Sequence, residues 1–202
     1  MLPNMEVLCP ADEPDMKAAL DYAVTAGGPV AIRYPKEDAV AEGTGTSAVP
    51  YSKGKGVVIR PLEGEIVIAA AGSLVREAVR AADMLSREGI QAGVVNVRFA
   101  KPVDDEIVEL LNQDKTIIIV EDHGISGGFG SAFLEKAVQK ALLSDNPVMK
   151  AAIGRTVLLG GADAFIPAAT RERQLEWMGL TAEKIVQTVK QLTGRAIVSK
   201  KQ

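Results

Sequence analysis

A buried strand that runs directly into a glycine-rich turn and a helix most constrains the fold of this chain. Residues 116–120 are all β-branched and too few for a helix, which is typical of a strand buried on both faces of a parallel sheet. Polar residues begin at Glu121, and four glycines lie within residues 124–130. Apolar residues then recur at helical spacing from Phe133 onward. This order predicts a βα corner of an α/β fold.

The glycine-rich turn also invites a nucleotide-binding interpretation. Its sequence, GISGGFG, has neither the G-x-G-x-x-G nor the G-x-x-x-x-G-K-[ST] spacing of phosphate-binding loops. Glycine lets another group approach the backbone closely, so tight packing of the helix against the sheet or a neighbouring domain is the simpler explanation. We therefore expect Gly127–Gly130 to have a packing role, with phosphate binding as the minor alternative.

Three ionisable residues, Glu121, Asp122 and His123, follow the same strand and suggest acid–base chemistry. His123 is the only histidine of the chain, with no cysteine nearby to complete a catalytic set, so we expect no catalytic role. Cys9 is the only cysteine, which excludes an internal disulfide and, with one histidine, a Cys/His metal site. Its place at the end of a predicted strand favours a small buried core residue.

Composition limits the classes of partner. The 202 residues, 47% hydrophobic, suffice for one large domain or for one domain and a fragment of another. The net charge is −3 and the 23 basic residues are scattered, which argues against a nucleic-acid surface. The sequence has no apolar run long enough to span a membrane and no secretory signal at its start, so a cytoplasmic protein is predicted.

The first 35 residues predict a βαβ unit. Residues 5–8 and 29–34 are the strands, Met16 begins the apolar stripe of the helix, and Pro35 ends the second strand. Two strands and one helix cannot cover both faces of a sheet, so the chain is expected to open in the middle of a domain. Residues 36–56 are charged and glycine-rich without apolar periodicity, which predicts an interdomain linker.

Strands and helices alternate in residues 57–202 and predict an α/β domain with a mostly parallel sheet of about five strands flanked by helices. The predicted strands are 57–60, 65–70, 94–97, 116–120 and 148–153, and the predicted helices are 72–88, 103–111, 133–143, 170–178 and 181–192. Residues 154–170 are predicted to be rich in loops.

Motifs along the chain resemble the 1-deoxy-D-xylulose-5-phosphate synthase family. They are, in order, PVAIRYP from Pro29, NVRFAKPVD from Asn96, VEDH from Val120, GGFGS from Gly127, FIP from Phe165 and GLTA from Gly179. Their order and spacing together are specific, over residues 4–193. In the wider transketolase superfamily, which includes the beta subunits of 2-oxoacid dehydrogenases, a pyrimidine-binding domain precedes a C-terminal domain. The resemblance implies that residues 1–35 end a pyrimidine-binding domain and that 57–202 form a transketolase-type C-terminal domain.

The resemblance also implies an enzyme that uses thiamin diphosphate and Mg²⁺ to condense pyruvate with glyceraldehyde 3-phosphate, releasing carbon dioxide. In the family, a Gly-Asp-Gly motif of an upstream domain holds the diphosphate and metal, and this chain has no such motif. The activating glutamate and active-site histidines are expected in missing N-terminal domains. This segment alone is therefore expected to bind neither cofactor nor metal, to contain no catalytic residue and to support a homodimer.

One functional residue of the family carries over to this sequence. Arg33, in the Arg-Tyr-Pro motif, matches the arginine that contacts the phosphorylated acceptor. It ends a predicted parallel strand, where α/β folds place ligands, and a guanidinium can bind phosphate bidentately. An ordinary ion pair at a domain edge is the alternative.

Two departures from the family pattern leave the identity of the acceptor substrate open. They are Lys36, where the family often has Arg-Gly, and Pro167–Thr170, where the family usually carries a glycine before the final helices. Two other functions therefore stay open: a subunit of another transketolase-like enzyme, and a non-catalytic assembly domain.

Overall fold

The computed structural model describes residues 2–38 and 49–199, with side chains of the last helix described to residue 194. The strands are β1 Glu6–Leu8, β2 Val30–Ile32, β3 Val57–Arg60, β4 Ile66–Ala70, β5 Ala92–Asn96, β6 Phe99–Lys101, β7 Thr116–Gly124 and β8 Val157–Gly161. The helices are α1 Glu13–Thr25, α2 Leu74–Arg87, α3 Asp105–Glu109, α4 Phe129–Ser144, α5 Pro147–Ile153, α6 Arg171–Met178 and α7 Ala182–Ser199, and the 3-10 turn Leu110–Gln113 follows α3.

The larger sheet has five strands in the order β3-β5-β4-β7-β8. Its strands pair in parallel except β3, which is antiparallel to β5 at the edge. Helices α2 and α7 cover one face, and α3, α4 and α5 cover the other, so β4 and the first part of β7 are buried on both sides. The predicted α/β domain with a mostly parallel sheet and flanking helices is confirmed.

A smaller sheet joins the N-terminal βαβ unit to a later part of the chain. Strand β1 pairs in parallel with β2 and antiparallel with β6, which the sequence analysis did not predict. Phe99 in β6 packs edge-on against Tyr22, with ring centroids 5.7 Å apart, inside a cluster that also contains Leu8 and Tyr51. The βαβ unit thus extends its sheet with a strand that follows β5. The domain limits at 35 and 56 stay a prediction, and residues 39–48 of the predicted linker lie outside the described residues.

The prediction of a strand at 148–153 was wrong, because these residues lie in helix α5. The side chain of Asn146 accepts hydrogen bonds from the first free N–H groups of the helix, and Pro147 occupies its first turn. Met149 and Ala152, three residues apart, are buried against the larger sheet. The last strand is instead β8, inside the passage predicted to be loops, where it pairs with β7.

Strand β7 is longer than predicted, and this difference positions the ionisable residues. It continues beyond Val120 to Gly124, with an irregular register against β8 over these residues. Glu121 and Asp122 therefore extend from a strand in the sheet and not from a loop. Within the described part of the chain, no helix has both the length and the apolar character of a membrane span.

Candidate functional site

Arg33 and Asp122 meet where the two sheets approach each other. Arg33 directly follows β2, and its backbone N–H donates to the carbonyl oxygen of Leu8, 2.8 Å away. Its Nη1 pairs with Oδ1 of Asp122, near the end of β7. The side chain of Arg33 is 39% exposed, whereas that of Asp122 is only 5% exposed. The sequence-predicted site residue thus lies at the end of a parallel strand, as expected, with a buried carboxylate as its partner.

A second guanidinium shares the same carboxylate. Nη2 of Arg171, the first residue of α6, lies 2.6 Å from Oδ2 of Asp122 and also donates to Oγ of Ser73 at 3.3 Å. Burial opposes the ionisation of Asp122, but the neighbouring His123 and the two guanidinium charges outweigh it and lower its pKa. Asp122 is therefore ionised and holds one arginine on each oxygen.

The adjacent His123 is paired with carboxylates and is positively charged. Its Nε2 lies 2.6 Å from Oε2 of Glu121, and its Nδ1 lies 3.8 Å from Oδ1 of Asp122. Asp122 and Glu121 raise the pKa of His123 to about 9. A protonated imidazole at neutral pH is a poor general base, and the absence of a catalytic role for His123 stays a prediction.

Glu121 accounts for the glycine-rich turn. Its carboxylate accepts the N–H of Phe129 at 2.6 Å and that of Gly130 at 3.3 Å, and so caps α4, whose N-cap residue Gly128 has no side chain. A Cβ on Gly128 would lie 2.5 Å from Glu121, and one on Gly130 would lie 2.8 Å from Leu158. The packing interpretation is confirmed for Gly128 and Gly130, whereas a Cβ on Gly127 would meet no atom within 4 Å and glycine there serves a positive φ of 75°. The N–H groups that a phosphate would need are already bound to Glu121.

A cavity of about 540 Å³ lies beside Asp122, and three basic side chains line it. Its lining residues are Arg33, Pro35, Lys36, Asp122, Ala168, Ala169, Arg171 and Gln174. A larger depression of about 660 Å³ next to Gly124 is lined by one charged residue, Asp163. Because ligand sites combine a concave surface with convergent polar groups, we take the cavity at Arg33 as the candidate site and call it the basic cavity.

The basic cavity does not suit a magnesium ion. Mg²⁺ prefers carboxylate oxygens that are free to bind it, whereas Asp122 is bound by two arginines and Glu121 by backbone N–H groups and His123. Among the described residues, no group of histidine, cysteine, aspartate and glutamate side chains has a metal-binding arrangement. The carboxylates present therefore do not fit the Mg²⁺ that the resemblance implies.

Cys9 is fully buried in the core under the larger sheet, and burial raises the pKa of its thiol to about 11. The prediction that Cys9 is a core residue is confirmed.

Sequence reasoning missed Arg171 altogether and did not link Asp122 to Arg33. One signal pointed to Arg171, since a cation in the first turn of a helix opposes the helix dipole and requires a compensating anion. The Arg33–Asp122 contact joins residues 89 positions apart and left no local signal.

The comparisons agree with these observations. Residues 54–185 match the family model described as "Transketolase, C-terminal domain". The chain is 35% identical over 195 residues to 1-deoxy-D-xylulose-5-phosphate synthase 2 of Geobacter sulfurreducens, covering 96% of this chain and 30% of the relative. It is 36% identical over 195 residues to the synthase of Aquifex aeolicus, covering 94% of this chain and 28% of that protein.

Among solved structures, "Split gene transketolase, inactive beta4 tetramer" matches with a TM-score of 0.74 and 31% identity, covering 95% of this chain and 59% of that one. Compared with the two curated synthases, the chain spans only about 30% of their length. The resemblance to the deoxyxylulose phosphate synthase family is confirmed, and by its matched residues the chain belongs to the transketolase C-terminal domain family.

Proposed function

We propose that this chain is the C-terminal portion of a thiamin-diphosphate-dependent synthase that condenses pyruvate with glyceraldehyde 3-phosphate to 1-deoxy-D-xylulose 5-phosphate and carbon dioxide. The similarity to two such synthases over more than nine-tenths of the chain supports this class of enzyme. The observation that carries the proposal is the position of Arg33, which lines the basic cavity and keeps over a third of its side chain exposed.

In this proposal Arg33 binds the phosphate of the acceptor. One of its terminal nitrogens is held by Asp122, which fixes the plane of the guanidinium before substrate arrives. When bound, thiamin diphosphate supplies the carbanion chemistry that takes the two-carbon unit of pyruvate. The groups that bind it, with Mg²⁺, belong to N-terminal domains beyond this segment, because the carboxylates of the basic cavity are already paired.

The remainder of the segment has a supporting role. The larger sheet and its helices form the C-terminal domain of a cytoplasmic homodimer, and the domain contributes contacts and no catalytic residue. We infer from this that the 202-residue chain alone is inactive.

A second candidate is a separate subunit that works with another chain carrying the cofactor domain. The solved structure named as a split-gene transketolase favours it, because this chain covers 59% of that shorter polypeptide. The two candidates share a fold and a basic cavity, but they differ in the length of the native polypeptide.

Mass spectrometry of the native polypeptide distinguishes them. We expect a native polypeptide about three times as long as these 202 residues, because the chain covers 30% of a curated relative. That longer polypeptide should release carbon dioxide from pyruvate when glyceraldehyde 3-phosphate is added. A native mass well below that of such a chain, together with a co-purifying chain that binds thiamin diphosphate, would support the separate subunit instead.

Isothermal titration of the 202-residue chain with thiamin diphosphate and Mg²⁺ provides an independent test. We expect no binding in the micromolar range, because the carboxylates that would hold Mg²⁺ are already paired with arginines, His123 and backbone N–H groups. Micromolar binding would contradict the assignment of the cofactor site to other domains.

A further inference from the structure

The two arginines of the basic cavity each keep hydrogen-bond donors for a ligand. Arg33 uses Nη1 for Asp122, and Arg171 uses Nη2 for Asp122 and Ser73. Within residues 2–38 and 49–194, no hydrogen bond is made by Nη2 of Arg33 or by Nη1 of Arg171. A planar guanidinium that is anchored through one nitrogen can present the others to an oxyanion.

The charge of the basic cavity matches that of a phosphate monoester. Its lining contains Arg33, Lys36 and Arg171 as cations and Asp122 as the only anion, which leaves a net charge of +2. Lys36 makes no ion pair with any described residue, and its ammonium is therefore available to a ligand. A phosphate monoester has a charge of about −1.5 to −2 at neutral pH. A carboxylate ligand such as pyruvate would neutralise only half of this charge.

The cations come from separate parts of the fold. Arg33 and Lys36 follow β2, whereas Arg171 begins α6 and Gln174 lies one turn further along the same helix. A ligand phosphate in the cavity would therefore contact both the N-terminal unit and the C-terminal domain.

Arg171 is the first residue of α6, and its positive charge there destabilises the helix unless an anion lies nearby. The N-terminus of a helix carries a partial positive charge, so a cation at the first residue is unfavourable by a few tenths of a kcal/mol to about 1 kcal/mol. Asp122 offsets this charge for one nitrogen of Arg171 but is shared with Arg33. An anion bound between the two arginines would compensate both guanidiniums and the end of α6 together.

We propose that Arg171 is a second phosphate-binding residue, which together with Arg33 and Lys36 makes the basic cavity a site for a phosphate monoester. The inference rests on the proposed function for the role of Arg33, and it deepens that function by adding a contact from the C-terminal domain. Asp122 is the positioning residue that holds both guanidiniums apart and facing the cavity.

Binding to the 202-residue chain can be measured by NMR titration with glyceraldehyde 3-phosphate, with inorganic phosphate and with unphosphorylated glyceraldehyde. We expect the two phosphates to bind and glyceraldehyde not to bind. Arg171→Ala should weaken phosphate binding about tenfold or more, because charge-assisted hydrogen bonds to a dianion are lost. Arg171→Lys should recover part of the loss, since an ammonium keeps the charge without the planar fork.

Arg173→Ala is the matched control. Arg173 lies on the same helix, its side chain is 60% exposed, and it pairs with Glu176 at 2.7 Å outside the basic cavity. Its replacement removes one positive charge from α6 but should leave phosphate binding within about twofold of the original. A thermal melt of each variant verifies folding, and Arg171→Gln replaces the alanine variant if that one unfolds.

The possible results separate this inference from the proposed function. If Arg33→Ala weakens binding while Arg171→Ala does not, the proposed function stands and the role of Arg171 is refuted. Equal losses in Arg171→Ala and Arg173→Ala would mean that only the total charge matters, which also refutes it. If no phosphate binds to the unmodified chain, the inference fails, and the proposed function is then judged by the mass and activity of the native enzyme.

Discussion

Arg98 and Asp15 form an ion pair that is almost completely buried, with Nη2 of the arginine 2.8 Å from Oδ1 of the aspartate. Asp15 also accepts the side-chain amide of Asn96 at 2.9 Å, and the Arg98 guanidinium lies 4.2 Å from the centroid of the Tyr51 ring. The pair connects α1 to the segment between β5 and β6, and it therefore fastens the N-terminal βαβ unit to the larger sheet.

Removing either partner of this pair should strongly destabilise the fold. Asp15→Asn and Arg98→Met each leave one buried charge uncompensated, which should lower the free energy of unfolding by about 3–5 kcal/mol. Urea denaturation measures the change. The control is Lys190→Met, which breaks a 2.6 Å pair with Glu88 in which both side chains are 46% exposed, and it should cost less than about 1 kcal/mol. Similar costs for buried and exposed pairs would show that the Arg98–Asp15 contact does not hold the unit in place.

Gly128→Ala should destabilise the corner between β7 and α4. The added Cβ would lie 2.5 Å from Oε2 of Glu121, so the carboxylate that caps the helix would have to move. We expect a loss of about 1–3 kcal/mol, as for other overpacked sites, measured by thermal unfolding. Gly27→Ala has open space around its Cβ and should change stability by less than about 0.5 kcal/mol. A neutral Gly128→Ala variant would mean that Glu121 can cap α4 from another position.

His123 should make stability depend on pH above neutrality. Its pKa is raised to about 9 by Asp122 and Glu121, from an ordinary value near 6.5, so the folded state binds more protons than the unfolded state between these values. The stabilisation is therefore complete below about pH 6.5 and is lost as the pH rises to about 9. Its size should be about 3 kcal/mol, since the pKa rises by about 2.5 units and each unit corresponds to about 1.4 kcal/mol.

Unfolding free energies from denaturant titrations at pH 6 and pH 9.5 measure this contribution. His123→Gln keeps a polar side chain but cannot be protonated, and most of the pH dependence in this range should disappear. A variant that loses stability between pH 6 and pH 9.5 as steeply as the original would assign the effect to another group.

The proposed role of Arg33 predicts a loss that depends on the acceptor phosphate. In the complete enzyme, Arg33→Ala should lower kcat/KM for glyceraldehyde 3-phosphate by about ten- to a hundredfold, equivalent to roughly 1.5–3 kcal/mol of charge-assisted hydrogen bonding. Activity with unphosphorylated glyceraldehyde and the KM for pyruvate should change little. Arg33→Lys should recover part of the activity. Equal losses with both acceptors would identify Arg33 as a residue of the domain edge that acts only through Asp122.

The local elements could be predicted where one residue type dominated a short segment. The β-branched run before Val120 gave a buried strand, and the spacing of Ile185 and Val189 gave a helix with a buried face. Such patterns act over a few neighbouring residues and need no knowledge of the rest of the fold. Local signals were misleading in α5, where Val148 and Ile153 suggested a strand but Asn146 and the following proline begin a helix.

The sequence by itself determined the α/β class, the family, the buried core around β7 and the place of Arg33 after a strand. Tertiary structure alone decided that β6 pairs with β1, that Arg98 meets Asp15 and that Asp122 lies between Arg33 and Arg171. The reason is physical. Asp122 is 89 positions from Arg33 and 49 positions from Arg171, and these contacts exist only because particular strand and helix ends converge in the folded chain. Local periodicity encodes which face of an element is buried, but packing of the whole chain determines which charged side chains share a cavity.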